Sequence, residues 1–336
     1  MPAILAITVP FFALVLCGYL AAQFRVLPQS AIPGLNAFVL YFALPCMLFR
    51  FGAATPFAQL LDPALLVVYG VCALAMVAFT IAMTLQRSVG GSGVDLTNAA
   101  FGALVAAFPN TGFMGLPLLV ALFGERAIGP MVATLLVDLI LTSTLCIALA
   151  QMHGHLRGAA GAGAGGTPLR VALVRSVRGA LGNPLPWAIV LGALFSLGGL
   201  ALPGALGEIV KMLADAATPV ALFTIGTVLW RARQHAHTRT PAAQFVPVAL
   251  FKLFVHPLLV LAVGLLANAA GLAISELNLT VLVLAAALPS ASNVSLLAER
   301  FGADNGRIAR IIMTSTTIAF VSFSALAWLL GAGART

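Results

Sequence analysis

Two short stretches concentrate side chains able to hold a small solute. Pro109, Asn110, Thr111 and Gly112 stand together in AAFPNTGFMGLPLL, and Pro289, Ser290, Ser292 and Asn293 in AAALPSASNVSLLAERFG. Proline removes a backbone donor and clashes with the preceding turn, so each stretch interrupts a helix. Asparagine and hydroxyl side chains beside the break offer hydrogen bonds without net charge. A broken helix also presents the N-terminus of its second half, where the dipole and free N–H groups favour an anion. Two such ends brought together would make an uncharged cradle for a carboxylate. One proline alone reads as a packing kink; two in corresponding places, each with amides and hydroxyls, read as a binding site.

Three ionisable residues add a second kind of chemistry. Asp138 lies in the middle of the apolar run TLLVDLILTST, where a carboxylate costs about 2.5–3.5 kcal/mol by insertion scales. It reads equally as a proton or cation coupling group and as a buried hydrogen-bond partner. Lys252 and His256 are four apart in LFKLFVHPLL, on one helix face. They could serve an anion or pair with Asp138, or Lys252 could reach back toward the interface. Lys211 and Asp215 read as an i, i+4 pair with Glu208 nearby, and Asn36 and Tyr41 face either packing or a cavity. The run Thr314, Ser315, Thr316 and Thr317 reads first as hydroxyls bonded to their own helix carbonyls. His153, His155, His235 and His237 read as solvated loop residues and the four cysteines as packing residues, so no metal site and no cofactor is expected.

The elements that must carry these residues follow from composition. Charged residues are 8% of the 336 and hydrophobic residues 61%, against about 25% charged in soluble domains. Spanning a bilayer takes about 20 apolar residues per helix, and ten candidate spans emerge: 3–22, 31–52, 63–86, 99–123, 127–151, 184–201, 207–230, 244–267, 278–299 and 307–330. This is an all-α polytopic membrane protein set in a lipid bilayer. The apolar start from Pro2 reads as a retained first span, not a cleaved signal. Residues 153–183 form the longest interruption, a Gly/Ala-rich stretch followed by LRVALVRSVRGAL, a candidate interfacial helix.

The net charge of +8 would suggest nucleic acid in a soluble protein, but here it marks topology. With the N-terminus outside, twelve arginines from Arg25 to Arg310 fall on the inner side, and only Arg50, Arg126 and Arg335 on the outer. That bias places both termini outside and residues 153–183 in the cytoplasm.

An internal repeat sets the organisation. Ala43–Gly52 and Ala217–Gly226 both read A-x-P-x-x-L-F-x-x-G, with Pro45 and Pro219 174 positions apart. Pro109 and Pro289 repeat the relationship at 180. Two halves of five spans, 1–152 and 184–336, are expected on either side of the 153–183 linker. An odd number of spans inverts the second half, as in many secondary transporters.

PNTGFMGLPLL, LPSASNVSLLAERFGAD and LNAFVLYFALP resemble the auxin efflux carrier family, including its bacterial members. The resemblance runs through essentially the whole chain. It implies a fold similar to the bile acid symporters: ten transmembrane helices in two inverted five-helix repeats, with broken helices four and nine crossing. Spans 1, 2, 6 and 7 would be a scaffold, and spans 3–5 and 8–10 a moving transport domain in a bacterial inner membrane. It implies carriage of small organic anions, auxin in plants and dicarboxylates such as malonate or malate in bacteria. Pro109 and Asn110 match the family's crossover, Pro289 its second proline, and Asn36 falls near the substrate. The short central loop and the absence of an acidic residue in span three depart from the plant proteins and weaken any transfer of auxin specificity. The expected function is a secondary transporter of rocking or elevator type, coupled to H+ or Na+ or to neither. A channel or a solute-sensing receptor on the same scaffold is the alternative, although no continuous polar stripe and no signalling domain supports one. No nucleophile–base set or carboxylate pair supports an enzyme. Small residues in the scaffold spans suit a homodimer.

Overall fold

The computed structural model describes residues 2–87, 94–159, 174, 178, 181–235 and 240–332. Of the candidate interfacial helix 169–181 only 174, 178 and 181 are described, and His237 and Arg335 lie outside the described residues; His153, His155 and His235, expected in loops, are instead within the helices Ser143–Ala159 and Gly204–His235. The described chain is helical throughout, with no strands beyond one isolated bridge.

The helices are α1 (Pro2–Gln23), α2 (Ala31–Ala54), α3 (Pro63–Arg87) and α4 (Leu96–Ala107). A wide π turn at Thr111–Gly115 leads into α5 (Leu116–Phe123). α6 runs as Ile128–Leu136, a π turn at Val137–Thr142, and Ser143–Ala159. Then come α7 (Pro184–Leu197), α8 (Gly204–His235) and α9 (Ala242–Ala269), the last with a π turn at Phe251–Val255. α10 (Glu276–Ala286), α11 (Val294–Arg300) and α12 (Asn305–Leu329) complete the chain. Starts are set by side-chain caps: Asp95, Asn183, Ser275 and Asp304 each accept a hydrogen bond from a first-turn N–H.

Among the described residues, seven helical stretches are long and apolar enough to cross a bilayer. Three shorter apolar helices, α4, α7 and α10, fall within expected spans four, six and nine. Expected spans four and nine are therefore each two half-length helices, because the proline-bearing segments between them are not helical.

Close packing rests on glycine where helices cross. α1 lies against α8 and α2 against α7. A methyl at Gly18 would sit 1.9 Å from the carbonyl oxygen of Phe223, and one at Gly226 1.9 Å from that of Val15. Gly52 and Gly192 meet likewise, at 2.9 Å from Ile189 O and 2.3 Å from Phe49 O.

Arg307, counted above among the loop cations, is instead buried. Its Nε donates to Gln244 O at 3.0 Å and its guanidinium to Asn98 O at 2.8 Å, tying α12 to α4 and to the start of α9. Gly102 makes room for it. The expected Lys211–Asp215 pair does not form. Asp215 accepts from Arg50 of α2 at 3.1 Å, while Lys211 faces Glu208 at 3.6 Å, because α8 turns Asp215 toward α2.

Candidate functional site at the helix crossing

The two proline stretches meet. α4 stops at Ala107 and α10 at Ala286, and the extended segments beyond them run antiparallel, with Pro109 bridged to Ser290. Asn110 N donates to Pro289 O at 2.8 Å, and Ala291 N donates to Phe108 O at 3.0 Å. Two prolines thus replace helical bonds with bonds between the breaks. Ser290 N donates to Ser315 Oγ at 3.2 Å, and Ser315 donates to Ile312 O within α12. The serine of the polar run therefore props the crossing, a role its self-bonded neighbours Thr316 and Thr317 lack. Nothing in the sequence separates Ser315 from them. Gly115 admits Leu288 against α5, since a methyl there would lie 2.3 Å from its Cδ1.

Because the N–H groups of Asn110, Ser290 and Ala291 hold the crossing together, a ligand here draws mainly on side chains. Asn110, Thr111, Ser290 and Ser292 are buried. Thr111 Oγ1 bonds Pro109 O at 3.3 Å, whereas Ser290 Oγ and Asn293 Oδ1 are buried without a partner. Gly112 has ordinary room, with Leu135 Cδ1 3.6 Å from a methyl added there. A cavity of about 780 Å3 runs from Phe108 and Asn293 beside the crossing past Asn36, Tyr41 and Ser143 to Gln151, Asn183 and Arg300 at helix ends. The structure thus brings Asn36 and Asn293 onto one cavity wall and leaves Pro109, Asn110, Thr111, Pro289, Ser290 and Ser292 packed around the crossing.

The ionisable residues form a separate buried cluster. Asp138, Lys252 and His256 have no exposure, nor does Tyr69 of α3. Tyr69 donates its hydroxyl to Asp138 Oδ2 and Thr142 to Oδ1, each at 3.3 Å, while Ser143 Oγ bonds the Asp138 carbonyl at 2.8 Å. Lys252 Nζ lies 3.2 Å from His256 Nδ1 and donates to the carbonyl of Ala286, the last residue of α10. The Tyr69 and His256 rings are 5.8 Å apart, which sets the Lys252–His256 contact beside the Tyr69–Asp138 hydrogen bond. Lys252 therefore does not reach for the interface. Both Asp138 and Lys252 sit in π turns, which widen a helix and often mark functional positions. The cluster's ammonium abuts the end of the half-helix that leads into the crossing.

The sequence matches the family described as "Membrane transport protein" over residues 3–162 and 166–327. The chain belongs to this family, the auxin efflux carriers. It is a multi-pass membrane protein of a transport family. It is 29% identical over 340 residues to a Rhizobium meliloti protein named "Putative malonate transporter", covering 99% of this chain and 98% of that one. It is 27% identical over 311 residues to an "Uncharacterized transporter" of Methanothermobacter thermautotrophicus, covering 92% of each. An Escherichia coli K12 protein, "Uncharacterized transporter YfdV", is 26% identical over 298 residues, covering 87% of the carrier and 86% of that chain.

Proposed function

We propose that the carrier is a secondary transporter of small organic anions, carboxylates such as malonate or malate or auxin-like acids, which bind beside the crossing of the two broken helices. The observation that carries this reading is the cavity that ends at Phe108 and Asn293, next to a crossing with an unpartnered buried hydroxyl at Ser290. Irregular backbone at membrane depth persists where it is buried in protein or lines a cavity. The similarity to the Rhizobium protein supports a carboxylate as substrate.

The carrier works in this reading as two inverted five-helix halves. The glycine contacts support it: Gly18 and Gly192 are 174 positions apart, as are Gly52 and Gly226, and Gly18 meets Gly226 while Gly52 meets Gly192. One contact thus maps onto the other when the halves exchange. α1, α2, α7 and α8 form the scaffold, and the remaining helices move as an elevator-like transport domain. Asn36 of the scaffold and Asn293 of the moving part line the same cavity. Asp138, Lys252 and His256 link the movement to H+ or Na+ through the Ala286 carbonyl. Both termini lie outside a bacterial inner membrane, with residues 153–183 in the cytoplasm.

Proteoliposomes loaded with malonate, malate or indole acetate, with and without a proton or sodium gradient, test the reading. Saturable counterflow of at least one carboxylate is expected. No counterflow for any monocarboxylate or dicarboxylate overturns it.

A further inference from the structure

Two large cavities at opposite ends of α2 differ in charge. The one that reaches Phe108 and Asn293 is lined by Arg178 and Arg300 and, among the described residues, by no acidic side chain. The other, about 690 Å3, is lined by Arg50, Glu125 and Asp215, and its arginine already bonds Asp215. Among the described residues, neither Arg178 nor Arg300 is in an ion pair. Arg300 rests 5.8 Å from the centroid of the Phe301 ring, which lines the same cavity.

We propose that Arg300 and Arg178 form an anion-capture site at the mouth of this cavity. The site selects small dianions such as dicarboxylates over monoanions, and the carrier binds substrate more tightly from this face than from the opposite one. The proposal rests on the transport reading above.

The physical basis is the combination of charge and placement. A cleft lined by one sign of charge focuses its field and raises the local concentration of counter-ions. Guanidinium groups bind carboxylates through two parallel hydrogen bonds, which adds orientation to attraction. Asn293 directly precedes α11 and Arg300 ends it. At 1.5 Å per residue they are about 10 Å apart along the helix. A side chain as long as arginine can fold back over part of that distance. One carboxylate can then pair with Arg300 while the other meets the amides of Asn36 and Asn293. A monoanion has only one group to offer, so it gains at one end alone. On the opposite face Asp215 neutralises Arg50 and Glu125 repels anions, so no equivalent capture exists there.

Malonate and its monoamide, malonamate, share a skeleton and differ by one charge, which isolates the effect. Counterflow of both is measured in everted and in right-side-out membrane vesicles, for wild type, Arg300→Gln, Arg178→Gln/Arg300→Gln and Arg300→Lys. The expected result is a rise of about tenfold or more in malonate KM for the double variant from the arginine-lined face only. Malonamate KM should rise by clearly less than malonate KM, the opposite-face malonate KM should change by less than about twofold, Arg300→Lys should fall between wild type and Arg300→Gln, and added KCl should weaken wild type more than the double variant. Equal shifts for the two solutes, or no shift, overturn the proposal, as does a wild type that prefers malonamate. A wild type that exchanges no carboxylate at all overturns the transport reading, and this proposal with it.

Discussion

Gly18 of α1 and Gly226 of α8 meet with no space for a side chain on either: a methyl at each position would stand 1.9 Å from a carbonyl oxygen of the other helix. A backbone oxygen cannot rotate away as a side chain can, so the helices must separate. Overpacking of this sort typically costs about 1–3 kcal/mol, occasionally more. Gly18→Ala and Gly226→Ala should therefore lower the melting temperature of the detergent-solubilised protein, and Gly192→Ala should do so as well. Gly34→Ala is the control, since nothing lies within 4 Å of a methyl there. Equal melting of Gly34→Ala and Gly226→Ala would show that the α1–α8 contact is not close-packed.

At the crossing, the question is whether Asn110 serves the solute or only the fold. Its main chain already bonds Pro289, and this bond survives side-chain truncation. Asn110→Ala should reduce carboxylate counterflow at least tenfold, a loss of about 1.4 kcal/mol or more in transition-state stabilisation, with melting nearly unchanged. Gly112→Ala is a sterically mild partner, meeting only Leu135 Cδ1 at 3.6 Å and Leu44 Cδ1 at 4.0 Å. It should leave stability intact and reduce transport if the solute approaches this backbone. Full transport by Asn110→Ala would remove the crossing as the binding site.

The broken helices could be read from sequence because Pro109 and Pro289 act locally: a missing donor and a steric clash need no tertiary context. The two A-x-P-x-x-L-F-x-x-G segments were equally legible, and their final glycines, Gly52 and Gly226, prove to be the contact points of two helix crossings. What could not be read was rotational phase. A helix apolar on all sides carries no periodic stripe to tell which residue faces which neighbour. Hence Asp215 turned out to bond Arg50 and not Lys211, Arg307 left the expected loop for the interior, and Ser315 was indistinguishable from Thr316. Tyr69 was missed for the same reason: only assembly of α3 against α6 puts its hydroxyl on Asp138. The π turns at Val137–Thr142 and Phe251–Val255 have no recognised sequence signal either.

Arg50 and Asp215 offer a test of how little an exposed ion pair contributes. Their side chains are 43% and 60% exposed, so solvent screens the interaction. Arg50→Gln and Asp215→Asn should each change unfolding stability by less than about 1 kcal/mol. A double-mutant cycle in detergent, read by melting at low and high salt, should give a small coupling that disappears with salt. A coupling that persists at high salt would assign the pair a dehydrated, load-carrying role between α2 and α8.

Asp138 and Lys252 present the opposite case, with both groups fully buried. Each is held by hydrogen bonds, Asp138 by Tyr69 and Thr142 and Lys252 by the Ala286 carbonyl beside His256, and truncating one strands buried partners at a cost of about 1–3 kcal/mol. Lys252→Met should therefore destabilise the carrier, and melting temperatures of Asp138→Asn/Lys252→Met against the two single variants measure whether the groups are coupled. Transport separates structure from coupling. If Asp138 carries the coupling proton, Asp138→Asn should flatten the pH dependence of counterflow while protein is still produced. Tyr69→Phe, which deletes the 3.3 Å hydrogen bond to Oδ2 but keeps the ring beside His256, should shift that dependence without removing it. Unaltered pH dependence in Asp138→Asn would confine the cluster to holding α3, α6 and α9 together. Additive losses in the double variant would mean that Lys252 acts through the Ala286 carbonyl alone.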